Sequence, residues 1–198
     1  MRVFKLAMAV TMCGVLGTGS ALSAPIPVSS VTASSTFSTY DVINLINGNG
    51  LTGDLHSGDF RGKWMTNQTS TGTLIFDLGG VYDVTSTAVW NYGPGCCGNE
   101  RSAKDLEIKS SVDGVRFTTV GSFVLNQPRT DLFSADMLAL KTTARYFECD
   151  LNSMYGGEIY IGLSEVQFNG SPVPVPAAAW LLGSGLLGLV GIARRKVS

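Results

Sequence analysis

The sequence is poor in the residues that enzymes commonly use for catalysis. Its 198 residues include a single histidine, His56, and only 15% are charged. It contains no Gly-x-Ser-x-Gly motif, no His-Glu-x-x-His motif and no Gly-rich phosphate loop. A lone histidine in the Gly-containing segment Leu55–Gly58 favours a surface or turn-stabilising role over that of a base. We therefore predict that the protein is not an enzyme. A glycan-acting hydrolase stays open as an alternative, because linear sequence does not show whether two carboxylates lie at the separation glycosidases require.

Positive charge is scarce in the middle of the chain. Five of the 14 Lys and Arg residues lie in the two ends, whereas all 15 Asp and Glu lie between Asp41 and Glu165. The middle therefore has 9 basic and 15 acidic residues, a net charge of −6. An acidic domain repels phosphate backbones, which argues against nucleic acid as a partner.

A sustained 3.6-residue apolar stripe is also missing between the two ends. The segment 73–78 is typical of a strand that stops at Gly79-Gly80, and 104–109 alternates with Leu106 and Ile108 on one face. Asp113-Gly114 predicts a tight reversal into a partner strand over 115–124. Many short strands with frequent turns indicate an all-β fold, an antiparallel jelly-roll sandwich.

Cysteine is rare, and only Cys96, Cys97 and Cys149 lie outside the apolar start of the chain. The adjacent pair could bond to each other, or one of them could reach Cys149. Alternation of Phe147, Cys149 and Leu151 turns all three inward, which favours a buried free thiol at Cys149.

The first residues have the pattern of a secretory signal. Arg2 and Lys5 are followed by the apolar stretch Leu6–Leu16 and by small residues up to Ala24. We predict a signal peptide over 1–24, a β-sandwich domain over 25–170, a Pro-containing linker over 171–176, and a transmembrane helix with a basic tail over 177–198.

The last residues combine three features. Val173-Pro174-Val175-Pro176-Ala177 is a proline-containing hinge, 17 uncharged residues run from Ala177 to Ala193, and Arg194-Arg195-Lys196 follow. This combination resembles the PEP-CTERM family of sorting tails in a V-P-x-P-A form. The resemblance implies a Gram-negative bacterium, passage through the inner membrane, cleavage by an exosortase-type membrane protease, and delivery to the cell surface or extracellular matrix.

The middle of the chain resembles the discoidin, or coagulation-factor type C, domains of the galactose-binding-like superfamily. Short segments carry the resemblance in order, among them Phe76-Asp77-Leu78-Gly79, Ser111–Gly114, Ala144–Phe147 and Leu163–Gly170. It implies a jelly roll of two antiparallel sheets that binds sugars or other surface ligands through loops at one end.

Sugar recognition combines an aromatic face with a few planar polar groups. The loop from Asn91 to Arg101 offers both, so we predict that Asn91, Tyr92 and Arg101 bind ligand. For Tyr92 the alternative is packing within a strand, and for Arg101 a surface ion pair.

A structural calcium ion is a further implication of the resemblance. The matching residues are Asn47 and Thr52 of the loop Asn47–Asp54, together with Glu165 near the last strand. Asn47 replaces the usual Asp of the family, which removes one charge. The alternative is an Asx turn hydrogen-bonded to Glu165.

These expectations describe an exported, non-catalytic surface or matrix protein that binds extracellular polysaccharide. A purely structural matrix or biofilm protein without a small-molecule site is the first alternative, and the hydrolase is the second.

Overall fold

The computed structural model describes residues 24–95 and 98–173. Residues 1–23 of the predicted signal peptide, the residues Cys96 and Cys97, and the sorting residues Pro174, Pro176, Ala177 and Arg194-Arg195-Lys196 lie outside them, whereas Ala24, the last residue of that prediction, is described. Val173, the last described residue, donates its backbone N–H to Val81 O at 3.2 Å. Within the described ranges, no helix has the length and hydrophobicity needed to cross a membrane.

Across these ranges the chain forms short and long strands joined by irregular loops and two 3-10 helices. The helices span Val42–Leu45 and Phe60–Gly62. The strands are β1 Ala24–Ile26, β2 Ser30–Ala33, β3 Leu51–Thr52, β4 Leu55–Ser57, β5 Trp64–Met65, β6 Gly72–Asn91, β7 Asp105–Ser111, β8 Thr118–Val124, β9 Leu132–Ser134, β10 Asp136–Leu151 and β11 Gly162–Pro172. Every ladder between these strands is antiparallel, which confirms the predicted all-β antiparallel sandwich.

The long strands β6 and β10 each contribute to both layers of the sandwich. The first half of β6, up to Asp77, lies between β2 and the second half of β10, which also pairs with β7. The second half of β6, from Tyr82, lies between β11 and the first half of β10. β8 continues the first layer beside β7, and β1 continues the second beside β11.

The bend in β6 occurs at Gly79, which has a φ of +74°. The predicted end of the strand at Gly79-Gly80 is therefore wrong, because glycine lets the backbone turn there and continue rather than stop. Asp77 fastens the bend, since its carboxylate accepts from Gly79 N at 2.7 Å and from both Nε and Nη2 of Arg145 at 2.8 and 2.9 Å. The Arg145 side chain thus joins β10 to β6 beside the point where the strand turns.

The core lies between the two layers. Phe168 of β11 stacks on Phe147 of β10 with 4.6 Å between ring centroids, and meets Phe76 of β6 edge-on at 5.5 Å. Leu106 and Ile108 are buried as predicted. Cys149 is a buried free thiol, also as predicted, and burial raises its pKa well above the usual range.

A small sheet of β3, β4 and β9 covers part of the outer face of the second layer. Phe133 of β9 packs there against Ala88 and Trp90 of β6. The indole N–H of Trp90 donates to Asp54 O at 3.1 Å, between β3 and β4. Trp90 is therefore a packing residue in its strand.

Candidate functional site

One end of the sandwich has aromatic rings and two arginines in a row. We call Phe37, Tyr40, Phe60 and Tyr160, together with the flanking Arg61 and Arg101, the aromatic band. Neighbouring ring centroids are 5.0 Å apart for Phe37 and Tyr160, 6.2 Å for Phe37 and Tyr40, and 6.1 Å for Tyr40 and Phe60. The guanidinium groups of Arg61 and Arg101 lie 5.2 Å from Phe60 and 5.1 Å from Tyr160. Four separate loops therefore meet in one surface.

The loop after β2 supplies Phe37 and Tyr40. Trp64, which is fully buried, donates its indole N–H to Ser35 O at 3.2 Å. The backbone N–H of Phe37 donates to Met65 O at 3.0 Å. Because both anchors belong to β5, this loop is held against the sheet, with Phe37 partly exposed and Tyr40 8% exposed.

The second 3-10 helix supplies Phe60 and Arg61. Asp59 caps it, since its side chain accepts from Arg61 N at 3.0 Å. Phe60 is 37% exposed, so part of its ring is open to solvent. The Arg61 side chain lies 3.8 Å from the Asp59 carboxylate and stays largely in solvent.

Arg101 and Tyr160 come from the loops that follow β6 and precede β11. The Arg101 carbonyl accepts from Gly162 N at 3.0 Å, which ties the two loops together where β11 begins. The guanidinium also approaches Met65 Sδ at 3.7 Å. Arg101 and Tyr160 both remain partly exposed.

A buried layer supports the band from below. Tyr92 is 1% exposed and packs with Tyr40 and Met65. Burial raises the pKa of its hydroxyl well above the usual range, while a hydrogen bond with Arg101 opposes that shift. Lys63, also 1% exposed, donates to Gly93 O at 2.8 Å and Pro94 O at 2.7 Å and lies 4.4 Å from the Tyr92 ring centroid. The Lys63 ammonium thus fixes the start of the loop that leads to Arg101.

Asn91 has an internal role. Its amide nitrogen donates to Ala103 O at 2.7 Å and Asn126 O at 2.9 Å, and its oxygen accepts from Tyr92 N and Ala103 N. At 2% and 1% exposure, Asn91 and Tyr92 do not present their side chains to solvent. Of the three predicted ligand-binding residues, Arg101 alone lies at the surface.

Of the three predicted metal ligands, Glu165 lies beside the loop of Asn47, whereas Thr52 is exposed on β3. Glu165 is 2% exposed, and both carboxylate oxygens lie 3.2 Å from Gly48 N. Asn47 Oδ1 accepts from Asn49 N at 2.8 Å, which forms the Asx turn considered above as the alternative. Residues 24–95 and 98–173 hold no group of three or more His, Cys, Asp and Glu arranged for a metal ion.

Glu165 is a buried carboxylate whose hydrogen-bond partners are neutral. Burial raises its pKa to about 7, and the bonds from Gly48 N–H and the Gln167 side chain oppose the shift. A carboxylate removed from water in this way favours a nearby cation.

His56 is buried rather than on the surface. Its Nδ1 lies 2.7 Å from Ser57 O, and its ring packs against Phe133 with 5.8 Å between centroids. Of the two alternatives considered for His56, a surface position and a turn-stabilising role, burial excludes the first and the contact with Ser57 O fits the second. Among the residues that sequence reasoning missed, Phe60 had a recognisable signal: a large aromatic beside an arginine in a Gly-rich turn, outside any strand.

The family model described as the F5/8 type C domain matches residues 30–165. A search of curated proteins finds no match.

Solved structures share the fold. CBM32-3 from a family 31 glycoside hydrolase of Clostridium perfringens aligns over 73% of this chain and 92% of its own, with a TM-score of 0.59 and 14% identity. The family 32 CBM from C. perfringens NanJ, solved with galactose, aligns over 75% and 99%, with a TM-score of 0.57 and 18% identity. CBM32 of AlyQ, solved with 4,5-unsaturated mannuronic acid, aligns over 73% and 97%, with a TM-score of 0.53 and 21% identity.

Proposed function

Because the chain belongs to the F5/8 type C domain family, we propose that its β-sandwich is a non-catalytic module that binds carbohydrate through the aromatic band. The observation that carries this proposal is the meeting of four loops in one surface of rings and guanidinium groups. Aromatic faces pack against the apolar faces of sugar rings, and planar guanidinium groups donate to ring hydroxyls. Phe37, Phe60 and Tyr160 supply the faces, and Arg61 and Arg101 supply the donors.

Because Tyr92 is buried, we assign it a supporting role and not the ligand contact predicted from the sequence. Its ring and hydroxyl lie beneath the band, so Tyr92 supports Arg101 and Tyr40 and does not stack on a sugar. Asn91 likewise holds the loop through its four hydrogen bonds. Ligand selectivity then belongs to the partly exposed residues above them.

Structural neighbours support a sugar ligand. Two of them were solved with galactose and with an unsaturated mannuronic acid, and others are parts of glycoside hydrolases.

A glycan panel tests the proposal. The full-length chain should bind at least one neutral or uronate-containing oligosaccharide, and Arg101→Ala should weaken that binding. Failure to bind any glycan of the panel would favour a purely structural matrix protein.

For the metal we propose a structural calcium ion held by Glu165 with the neutral oxygens of Asn47 and Thr52. The buried Glu165 carboxylate fits this group, because a cation would compensate its charge and join the last strand to the loop of Asn47. When bound, calcium would contribute folding stability.

Calcium at a hundredfold excess over its Kd should raise the melting temperature by about 5 to 10 °C. Glu165→Gln should abolish this rise, whereas Glu158→Gln, on an exposed loop, should keep it. Differential scanning fluorimetry with calcium and with a chelator measures both. An equal melting temperature of the parent chain in the two conditions would rule out the calcium site.

We further propose that the chain is exported, anchored through residues 177–198, and released to the cell surface or matrix by an exosortase-type protease. The proposal rests on the sequence of the two ends. Mass spectrometry of the mature protein should find no peptide beyond about Ala178, since cleavage in this region precedes the apolar run. Recovery of an intact Arg194-Arg195-Lys196 end would indicate a permanent anchor.

A further inference from the structure

A groove crosses the outer face of the second layer, away from the loops of the aromatic band. Cross-strand pairing places Gln167 opposite Ala88, and Ala88 opposite Met137, in one row. The next rows pair Asn169 with Ser86 and Glu165 with Trp90. Because partners across a sheet share a face, these side chains point away from the core residues Val89 and Phe168.

The small Ala88 side chain forms the floor of this groove. Met137, which is 64% exposed, stands on one side, and the amides of Gln167 and Asn169 stand on the other. Asp54 and Trp90 close one end, with the Trp90 indole N–H fixed on Asp54 O. The resulting cavity has a volume of about 380 Å³, which is within the range of small-molecule sites.

Backbone groups are not available to a ligand on the floor of this groove. Strand β6 has a paired neighbour on both sides there, β11 on one side and β10 on the other. A peptide therefore cannot add to the sheet as a further strand at Ala88. On the floor, the ligand has to be recognised by side chains.

The side chains present an apolar surface edged by hydrogen-bonding groups. Ala88, Met137 and the edge of Trp90 offer carbon contacts, whereas Gln167 and Asn169 offer amides that donate and accept. None of the described residues that line the cavity is cationic, and Asp54 is acidic. This composition suits the hydroxyl-rich, uncharged rings of a neutral sugar and opposes uronate or sulfate groups.

We propose that this groove is a second carbohydrate-binding site, which takes one or two residues of a neutral glycan. The groove is separate from the aromatic band, so one chain would bind glycan at two sites. Two weak sites on one module raise the overall avidity without any new contact.

The test uses the full-length chain with the band disabled by Arg101→Ala and Tyr160→Ala. Neutral di- to tetrasaccharides of glucose, galactose and N-acetylglucosamine, and uronate oligosaccharides as the acidic comparison, are titrated by calorimetry. The band-disabled chain should still bind a neutral oligosaccharide, and should not bind the acidic ones. Ala88→Leu, which fills the groove, should weaken that residual binding at least tenfold.

Ala88 is only 5% exposed, so Ala88→Leu could weaken binding by destabilising the fold. A second variant, at an exposed position, distinguishes loss of binding from loss of folding. Met137→Lys changes an exposed rim residue, and it should weaken the same binding with an unchanged melting temperature. Binding by the parent but none by the band-disabled chain would overturn the groove and leave the aromatic band standing. Unchanged residual binding in Met137→Lys and Ala88→Leu would also overturn it, whereas a parent that binds no glycan would refute both sites.

Discussion

At the scale of single residues, burial decides which polar groups of this domain can act on a ligand. His56 has no exposed surface, and its ring lies so close to Gly50 that a Cβ there would come within 2.6 Å of His56 Cε1. Gly50 also has a φ of +100°, a conformation that glycine adopts readily. His56 therefore joins the β3–β4 hairpin to the loop of Asn47–Gly50.

Burial lowers the pKa of His56 from 6.5, and the nearby Lys63 charge adds to the effect. The neutral folded state binds fewer protons than the unfolded state, so stability rises with pH up to about 6.5 and falls as the pH drops through the lowered folded pKa. The His56 contribution to the free energy of unfolding should thus decrease between about pH 7.5 and about pH 5, while Glu165, whose pKa is raised to about 7, contributes in the opposite direction.

The stability advantage of the parent over His56→Gln should therefore shrink as the pH falls over the same range, measured by urea unfolding of both proteins at each pH. Acidic side chains, Glu165 included, contribute equally to both proteins, so the difference isolates the histidine. A difference in the free energy of unfolding that stays constant across the pH range would contradict the buried neutral state of His56.

The candidate site was only partly predictable at this scale. The aromatic and planar polar composition of the loop after β6 pointed to Arg101, which does lie in the band. Asn91 and Tyr92 belong to the same stretch of sequence but are buried, because Tyr92 packs with Met65 and Tyr40 and Asn91 is hydrogen-bonded to Ala103 and Asn126. Tyr160 is 59 residues away from Arg101, and local patterns carry no information about such a contact.

At the scale of elements, the close approach of β5 and β11 shapes the site. A Cβ on Gly162 would lie 2.3 Å from Trp64 O and 2.7 Å from Tyr92 Cδ2. Position 162 has no room for a side chain, so glycine is required there. Its lack of a Cβ lets β5 and β11, the two strands beside Arg101, approach each other.

Gly162→Ala should lower the free energy of unfolding by about 1 to 3 kcal/mol, because rigid backbone and a buried ring would have to move. Gly157→Ala is the matched control, since nothing lies within 4 Å of its Cβ position. The control should leave stability unchanged or raise it by about 0.4 to 1 kcal/mol. Denaturant unfolding compares the two variants, and equal stabilities would contradict the packing of β5 against β11.

Strand patterns predicted more of the fold than turn residues did. The alternation of β7 and the inward row of Phe147, Cys149 and Leu151 are confirmed, because each strand buries one face. Gly79-Gly80 was interpreted as an end, although the chain uses Gly79 to bend β6 between the layers. A glycine in sequence does not distinguish a turn from a bend within a strand, since both use its freedom at positive φ.

At the scale of the whole molecule, the aromatic band and the first and last described residues, Ala24 and Val173, lie at opposite ends. β11 begins at Gly162 beside Arg101 and ends at Pro172, and its eleven residues span roughly 33 Å. Ala24 pairs with Gly170 near the same far end. Under the anchoring proposed above, the band would therefore lie on the side of the domain opposite the point of attachment.

The most direct test of carbohydrate binding by the band is the affinity, measured by calorimetry, for a glycan that the chain binds in the panel. We expect Tyr160→Ala and Arg101→Ala to weaken binding by about five- to thirtyfold each, since each removes one contact worth roughly 1 to 2 kcal/mol. Arg116→Ala, an exposed arginine in the β7–β8 turn, should bind as the parent does. Parental affinity in the Tyr160 and Arg101 variants, at unchanged melting temperature, would contradict the assignment of the aromatic band as the binding surface.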